Sequence, residues 1–247
     1  MLAPLSLLGQ THPMAPPAPR TARAVARAEL TRAILDSAQA QLAETGPAAL
    51  SVRAVARDLD MASSAVYRYF ATRDALLTAL IIEAYDDLGD QVDRAVAERA
   101  DDDFLGRWRA LAHAVRDWAV AHPHQYALTY GSPVPGYAAP TDTVVPGTRV
   151  SSALITLLSD AEAAGIRAPQ RARRVPAAEK AAIGPILDHV GRRLSPGYAV
   201  RGLATWATLF GHISLELFGH MHQGVLDYDV HFSQVVDQVG ADLGLGG

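Results

Sequence analysis

Between Leu50 and Leu77 the chain gathers polar side chains of one chemical kind within a few helical turns. Ser63 and Ser64 are short enough to permit close approach, and their hydroxyls can reach base edges or phosphates. Tyr67, Tyr69 and Arg73 add phosphate donors around them, while Arg53 carries the planar fork that pairs with guanine. The rest of the chain offers little competing chemistry. It contains no P-loop, G-x-G-x-x-G, G-x-S-x-G or H-E-x-x-H pattern, and with no cysteine it excludes thiolate nucleophiles, thiolate metal sites and disulfides. His212 and Glu216 stand one helical turn apart and His220 lies close to His222. Side chains at i and i+2 diverge on a helix and no third ligand is evident, so no metal site, catalytic residue or cofactor is expected.

The elements that must hold these residues can be read outward from them. Ser51 is a good N-cap, and Val52, Val55, Ala56 and Leu59 behind it follow helical spacing, which predicts an amphipathic helix of about two turns. Asp60-Met61-Ala62 breaks it. Ser63 and Ser64 start the next helix, in which Val66 and Phe70 face inward one turn apart. Two short helices joined by a three-residue turn, with the small Ala56 at their crossing, let the second stand out and enter a major groove. Upstream, Ile34, Ala38 and Leu42 mark one face of a helix that Gly46 stops; downstream, Thr72 caps a fourth helix with Asp74 in its first turn.

Charge follows the same division. The chain sums to -4, yet Arg20 to Leu80 holds eight arginines against six acids, so the positive charge is local to this segment. Residues 1–19, with five prolines and no Asp, Glu, Lys or Arg, read as a disordered leader. Their apolar run lacks a basic flank and is too short for a signal peptide or a membrane span, which predicts a cytoplasmic protein with no membrane partner.

Beyond Leu80 helical periodicity continues to about Arg99. It resumes with a stripe of Phe104, Trp108, Leu111, Val115, Trp118 and His122, and Pro123 opens a short helix carrying Tyr126 and Tyr130. Four prolines and three glycines make 131–147 an expected irregular loop. Helices are predicted over 150–164, 177–194 and 196–222, the last two separated from the first by a basic connector, and a final one carries Val235, Val236 and Val239. No stretch alternates with period two and no repeat recurs, so the fold class is all-α.

Residues 31–80 resemble the TetR family DNA-binding domain over its full length. The resemblance rests on Ile34, Ala38 and Gly46, the L-S-V-R-A-V-A run from Leu50, V-Y-R-Y-F ending at Phe70, and T-R-D-A-L ending at Leu76. It implies DNA contacts at Ser51, Arg53, Ser63, Ser64, Tyr67, Tyr69 and Arg73. Asp60 departs from the pattern, standing where the family usually has glycine. The run from Leu203 to Phe218, with Trp206 and Gly211, resembles the "WHG" type of TetR C-terminal domain, although Phe210 replaces its histidine.

The expected organisation is a leader at 1–19, a three-helix helix-turn-helix domain at 20–72, and a larger helical effector-binding and dimerisation domain at 73–247. The expected function is a repressor released from a palindromic double-stranded operator by a small molecule. A same-fold regulator controlled by a protein partner and an enzyme with an appended DNA-binding domain are the alternatives. The absence of acid or base pairs on the aromatic stripe predicts an uncharged, hydrophobic or aromatic effector, held by Trp108, Leu111, Val115, Trp118, Tyr126, Tyr130 and Phe210. The helix from Pro196 is apolar around nearly its whole circumference, and Ala204, Ala207 and Gly211 leave one side small, so it and its predecessor are expected to pair two copies as a four-helix bundle.

Overall fold

The computed structural model describes residues 21–167, 175–190 and 194–246; the proline-rich leader and most of the basic connector lie outside the described residues. Among the described residues the secondary structure is helical, without strands: α1 (Ala22–Thr45), α2 (Val52–Asp58), α3 (Ser63–Val66), α4 (Arg73–Ala97), α5 (Phe104–Ala121), α6 (Pro123–Tyr130), α7 (Val144–Gly147), α8 (Arg149–Ala163), α9 (Ala177–Val190), α10 (Pro196–Leu217) and α11 (Tyr228–Asp242). Side-chain caps start most of them. Thr21, Ser51, Thr72, Asp103, Ser195 and Asp227 each accept a hydrogen bond from the backbone N–H three residues on, satisfying a donor that the first helical turn leaves unpaired.

Two apolar cores meet along α4. Leu76, Leu77, Leu80 and Ile81 pack with Ile34, Ala38, Val55 and Val66 of the first three helices, whereas Ala84, Leu88 and Val92 belong to the core of the larger bundle. The packing boundary therefore falls inside α4, between Ile81 and Ala84, and not at its first residue. Leu128 of α6 and Val134 after it also join the smaller core, so the bundle grips the first three helices from a second side. At the centre of the larger bundle, α5 packs on α4, α6, α8, α10 and α11.

Two expectations are corrected. The segment 131–147 is not wholly irregular: a 3-10 turn at Thr141–Thr143 leads into the single turn α7, where Pro146 lies within the first turn and its missing N–H is no loss. One turn is too short to show periodicity. The helix from Pro196 ends at Leu217, short of His222, because Gly219 adopts φ +75°, its N–H donates to Glu216 O and that of His220 to Leu215 O, a Schellman stop. Its predecessor is helical over Ala177–Val190, and residues 191–193 of the expected span lie outside the described residues.

Candidate nucleic-acid interface and sensor cavity

The turn between α2 and α3 is itself a Schellman stop. Met61 N–H donates to Ala56 O at 2.7 Å and Asp60 N–H to Arg57 O at 3.2 Å, which places Asp60 in the left-handed region at φ +52°. This is the position where glycine was expected, and the backbone keeps the glycine conformation with an aspartate in it. Val55, Ala56 and Val66 are buried where α2 and α3 cross, and that packing turns the outer faces of both helices to solvent.

On that surface Arg53, Ser64 and Tyr67 are exposed, Tyr67 to 43%, while Ser51 and Ser63 are half-buried. Ser51 spends its hydroxyl capping α2 and its N–H on Gln41 Oε1. Arg53, Arg57 and Arg68 are exposed and make no ion pair among the described residues, so their charge is available to a polyanion. The remaining two side chains are committed elsewhere. Tyr69 is half-buried against the smaller core with the Arg27 guanidinium 5.0 Å from its ring centroid. Arg73 turns back into the protein: Nε donates to Leu50 O at 3.0 Å and Nη2 to Pro47 O at 2.7 Å and Ala48 O at 3.2 Å. Its guanidinium fastens the start of α4 to the segment entering α2, and its Nη1 contacts Asp74 Oδ1 at 3.4 Å. Arg27, missed by the motif, is a cation carried on α1; the arginine excess from Arg20 was the signal for it.

The aromatic stripe is core. Trp108, Leu111, Val115, Trp118 and Tyr126 are at most 1% exposed, and the polar edge of each aromatic one already has a partner. Trp108 Nε1 donates to Val236 O, Trp118 Nε1 to Asp87 Oδ2, and the Tyr126 hydroxyl bonds Phe210 O and Ser214 Oγ. A helix surrounded by five neighbours spends most of its apolar surface on them, and this stripe lines no apolar cavity. Tyr130 packs its ring 4.3 Å from Phe210, and its buried hydroxyl has no partner; burial, with Tyr85 and Tyr126 nearby, drives its ionisation far above the ordinary tyrosine value.

A cavity of about 480 Å³ lies instead among α7, α8, α9 and α10. Its walls include Leu154 and Ile155 of α8, Ile183 and Ile186 of α9, and Ala199, Gly202, Leu203 and Trp206 of α10. Thr148 and Ser151 supply the hydroxyls and no charged side chain lines it. None of the seven residues expected to hold an effector is among its walls; the Phe210 ring lies 4.2 Å from that of the wall residue Trp206. Periodicity could not reveal this set, because its members come from four helices with no common spacing.

The cavity wall leans directly on α4. Thr148 adjoins Arg149, whose Nη2 contacts Asp90 Oδ1 at 2.7 Å and Asp93 Oδ2 at 2.6 Å and whose Nη1 donates to Asp86 O. Gly147 lies against the Tyr85 ring, and the Tyr85 hydroxyl donates to Thr129 O. No cluster of three potential metal ligands occurs among the described residues, and Glu216 forms a two-pronged pair with Arg116 at 2.7 and 2.8 Å. No helix among the described residues is long and apolar enough to cross a membrane.

A solvated helix-turn-helix face joined by one long helix to a separate cavity-bearing bundle is the architecture of a helix-turn-helix transcriptional regulator. Residues 34–80 match the family described as bacterial regulatory proteins, tetR family, and residues 108–239 match the tetracyclin repressor-like C-terminal domain. The chain belongs to the TetR family of DNA-binding transcriptional regulators. It is 41% identical over 196 residues to the HTH-type transcriptional regulator Rv1816 of Mycobacterium tuberculosis, covering 78% of this chain and 83% of that protein. The HTH-type transcriptional repressor Rv3405c of the same organism is 35% identical over 96 residues, 37% of this chain and 49% of that one. Among solved structures, the regulatory protein SCO4313 superposes with a TM-score of 0.72 at 33% identity, covering 89% of this chain and 98% of that one.

Proposed function

We propose that the protein is a homodimeric repressor that binds a palindromic operator and leaves it when a neutral, apolar small molecule enters the cavity among α7, α8, α9 and α10. The observation that carries this reading is the continuity between cavity and DNA reader. Thr148 and Val144 are in the wall, and the two residues between and beside them, Gly147 and Arg149, rest on α4, whose first half belongs to the core of the first three helices. A ligand that holds the α7–α8 junction in a different place biases the position of α4 and the set of the two readers. The uncharged wall and the volume suit a drug-sized apolar molecule.

Arg53, Ser63, Ser64 and Tyr67 make the base and phosphate contacts, supported by Arg57, Arg68 and Arg27; Ser51 contributes its cap, and Tyr69 and Arg73 act mainly by holding the reader in shape. The repressor sense is supported by the name of the shorter relative, Rv3405c. Trp206 and Gly211 support the WHG reading of the C-terminal domain. The test is fluorescence anisotropy on an operator fragment recovered by selection from genomic DNA. A neutral apolar compound that releases the wild-type protein is expected to leave Ser151→Trp, whose indole fills the cavity, on the operator. Equal release of both proteins overturns the cavity reading.

A further inference from the structure

Ser151 and Leu154 of α8 face the apolar cavity, and an adjoining face of the same helix lines a second hollow. This is an open groove of about 770 Å³ in which Ser152, Ala153 and Thr156 stand across from Asp93, Val96 and Ala97 of α4, with Asp101 and Arg107 beyond the end of that helix. Its chemistry is unlike that of the cavity. Both guanidiniums in its wall are already committed: Arg107, only 8% exposed, donates to Asp101 O and pairs with Asp160, and Arg149 serves Asp86, Asp90 and Asp93. Five carboxylates, those three with Asp101 and Asp160, stand against two guanidiniums and leave a local charge of -3. The Asp101 carboxylate has no partner among the described residues, and neither have the Ser152 and Thr156 hydroxyls. Helical hydroxyls elsewhere in the chain turn back onto a carbonyl four residues earlier, as those of Thr31, Thr129 and Thr208 do. In the groove they keep their hydrogen-bonding capacity open.

From this arrangement we infer that the groove between α4 and α8 is a binding site for a short linear polyamine, a cation in which ammonium groups alternate with methylene stems. The inference is independent of the effector cavity and of the operator contacts proposed above. Such a molecule brings positive charge to Asp93 and Asp101, N–H donors to the Ser152 and Thr156 oxygens, and methylenes to Val96, Ala97 and Ala153. Other ligand classes fit less well. An anion meets a net negative wall whose guanidiniums are spent. A neutral apolar molecule strips water from carboxylates and hydroxyls and returns no hydrogen bond to them. A bare divalent ion needs several oxygen ligands converging on one point, and no three acidic or imidazole groups gather so among the described residues. An extended cation collects the same charge from carboxylates that lie apart. One exposed ion pair contributes little, so affinity here comes from several pairs engaged by a single molecule, and it weakens as salt screens them. Spermidine, a trivalent cation at neutral pH, balances the local charge.

The test is isothermal titration calorimetry of spermidine into the full-length protein at low salt, without DNA. One site per chain is expected, with an affinity that falls as sodium chloride is added. Asp101→Asn removes the unpaired carboxylate and is expected to weaken binding by about fivefold or more. Ser152→Lys sets an ammonium group in the groove and is expected to weaken it by about tenfold or more. Asp117→Asn removes the same charge from an exposed position on α5 outside the groove, and is expected to bind as the wild type does. Circular dichroism checks that each variant is folded; if Ser152→Lys is not, the contrast between Asp101→Asn and Asp117→Asn decides. The inference is overturned if spermidine does not bind, if it binds at many weak equivalent sites, or if Asp117→Asn loses as much affinity as Asp101→Asn, the mark of diffuse attraction to an acidic chain. A magnesium titration that saturates at one site and is lost in Asp101→Asn assigns the groove to a metal ion and overturns the polyamine reading as well.

Discussion

The Arg149 guanidinium lies across the backbone of Gly89, so that a Cβ on residue 89 would stand 2.5 Å from Arg149 Nε. A glycine inside α4 costs roughly 1 kcal/mol of helix stability relative to alanine, and the cost is offset here by a route for Arg149 to Asp90 and Asp93. Gly89→Ala is therefore expected to destabilise the wild type by about 1 to 3 kcal/mol through overpacking. In an Arg149→Ala background the same substitution should stabilise by about 0.5 to 1 kcal/mol. Urea denaturation of the four proteins measures the reversal of sign, and additive effects would show that the two residues do not share this space.

Asp60 offers the opposite test of backbone conformation. Its φ of +52° is the C′ position of the stop that ends α2, and a side chain there is strained by roughly 1 kcal/mol. Asp60→Gly should raise the melting temperature by a few degrees with operator affinity retained, whereas Asp60→Val should lower it. Differential scanning calorimetry on both variants checks the pair.

Arg73→Ala separates fold from contact. Losing a guanidinium that serves Leu50 O, Pro47 O and Ala48 O should cost about 1 to 3 kcal/mol of stability. The expected loss of DNA affinity should follow that destabilisation, with an unchanged salt slope at temperatures where the variant is folded. A fully stable variant whose log–log salt slope falls by about one would make Arg73 a phosphate contact instead.

Trp118 and Leu203 distinguish core from cavity. Trp118→Ala removes a fully buried ring and its bond to Asp87 and should cost about 3 to 5 kcal/mol. Leu203→Ala, at an exposed position on the cavity wall, should cost less than about 1.5 kcal/mol while changing affinity for the neutral fluorescent probe N-phenyl-1-naphthylamine. Chemical denaturation and probe titration of both variants give the comparison.

Acid should weaken the bundle through His212. Burial and the neighbouring His231, whose ring lies 5.5 Å away, lower its proton affinity in the folded chain. The unfolded chain then binds the proton more readily, so stability is complete above the unfolded value of about 6.5 and falls as pH drops through it toward the lower folded value. His212→Asn should flatten the dependence of unfolding free energy on pH below about 7. An unchanged slope would assign the acid sensitivity to other groups.

What the sequence disclosed and what it withheld divide along physical lines. Caps, apolar spacing and turn chemistry are local, so Ser51, Thr72, the inward Val66 and the break at Asp60 are legible without coordinates. The stripe on α5 was legible as a buried face, but burial alone does not say whether a side chain meets another side chain or empty space. That depends on how many helices surround it, and α5 has five neighbours. The cavity walls come from α7 to α10, and the turn of helix at Val144–Gly147 that links them to α4 is too short to announce itself. Arg73 shows the same limit: its position matches the motif, whereas its three carbonyl partners are a matter of tertiary approach.

The most direct test of a sequence-reading helix-turn-helix is the pair of affinities of wild type and Arg53→Ala for selected operator and for random duplex of equal length at one salt concentration. The exposed, unpaired Arg53 predicts a folded variant whose operator affinity falls by about 1 to 3 kcal/mol while its affinity for random DNA changes little, so that the ratio between them shrinks. Equal loss on both duplexes would make Arg53 a phosphate contact and contradict the assignment of base reading to α2 and α3.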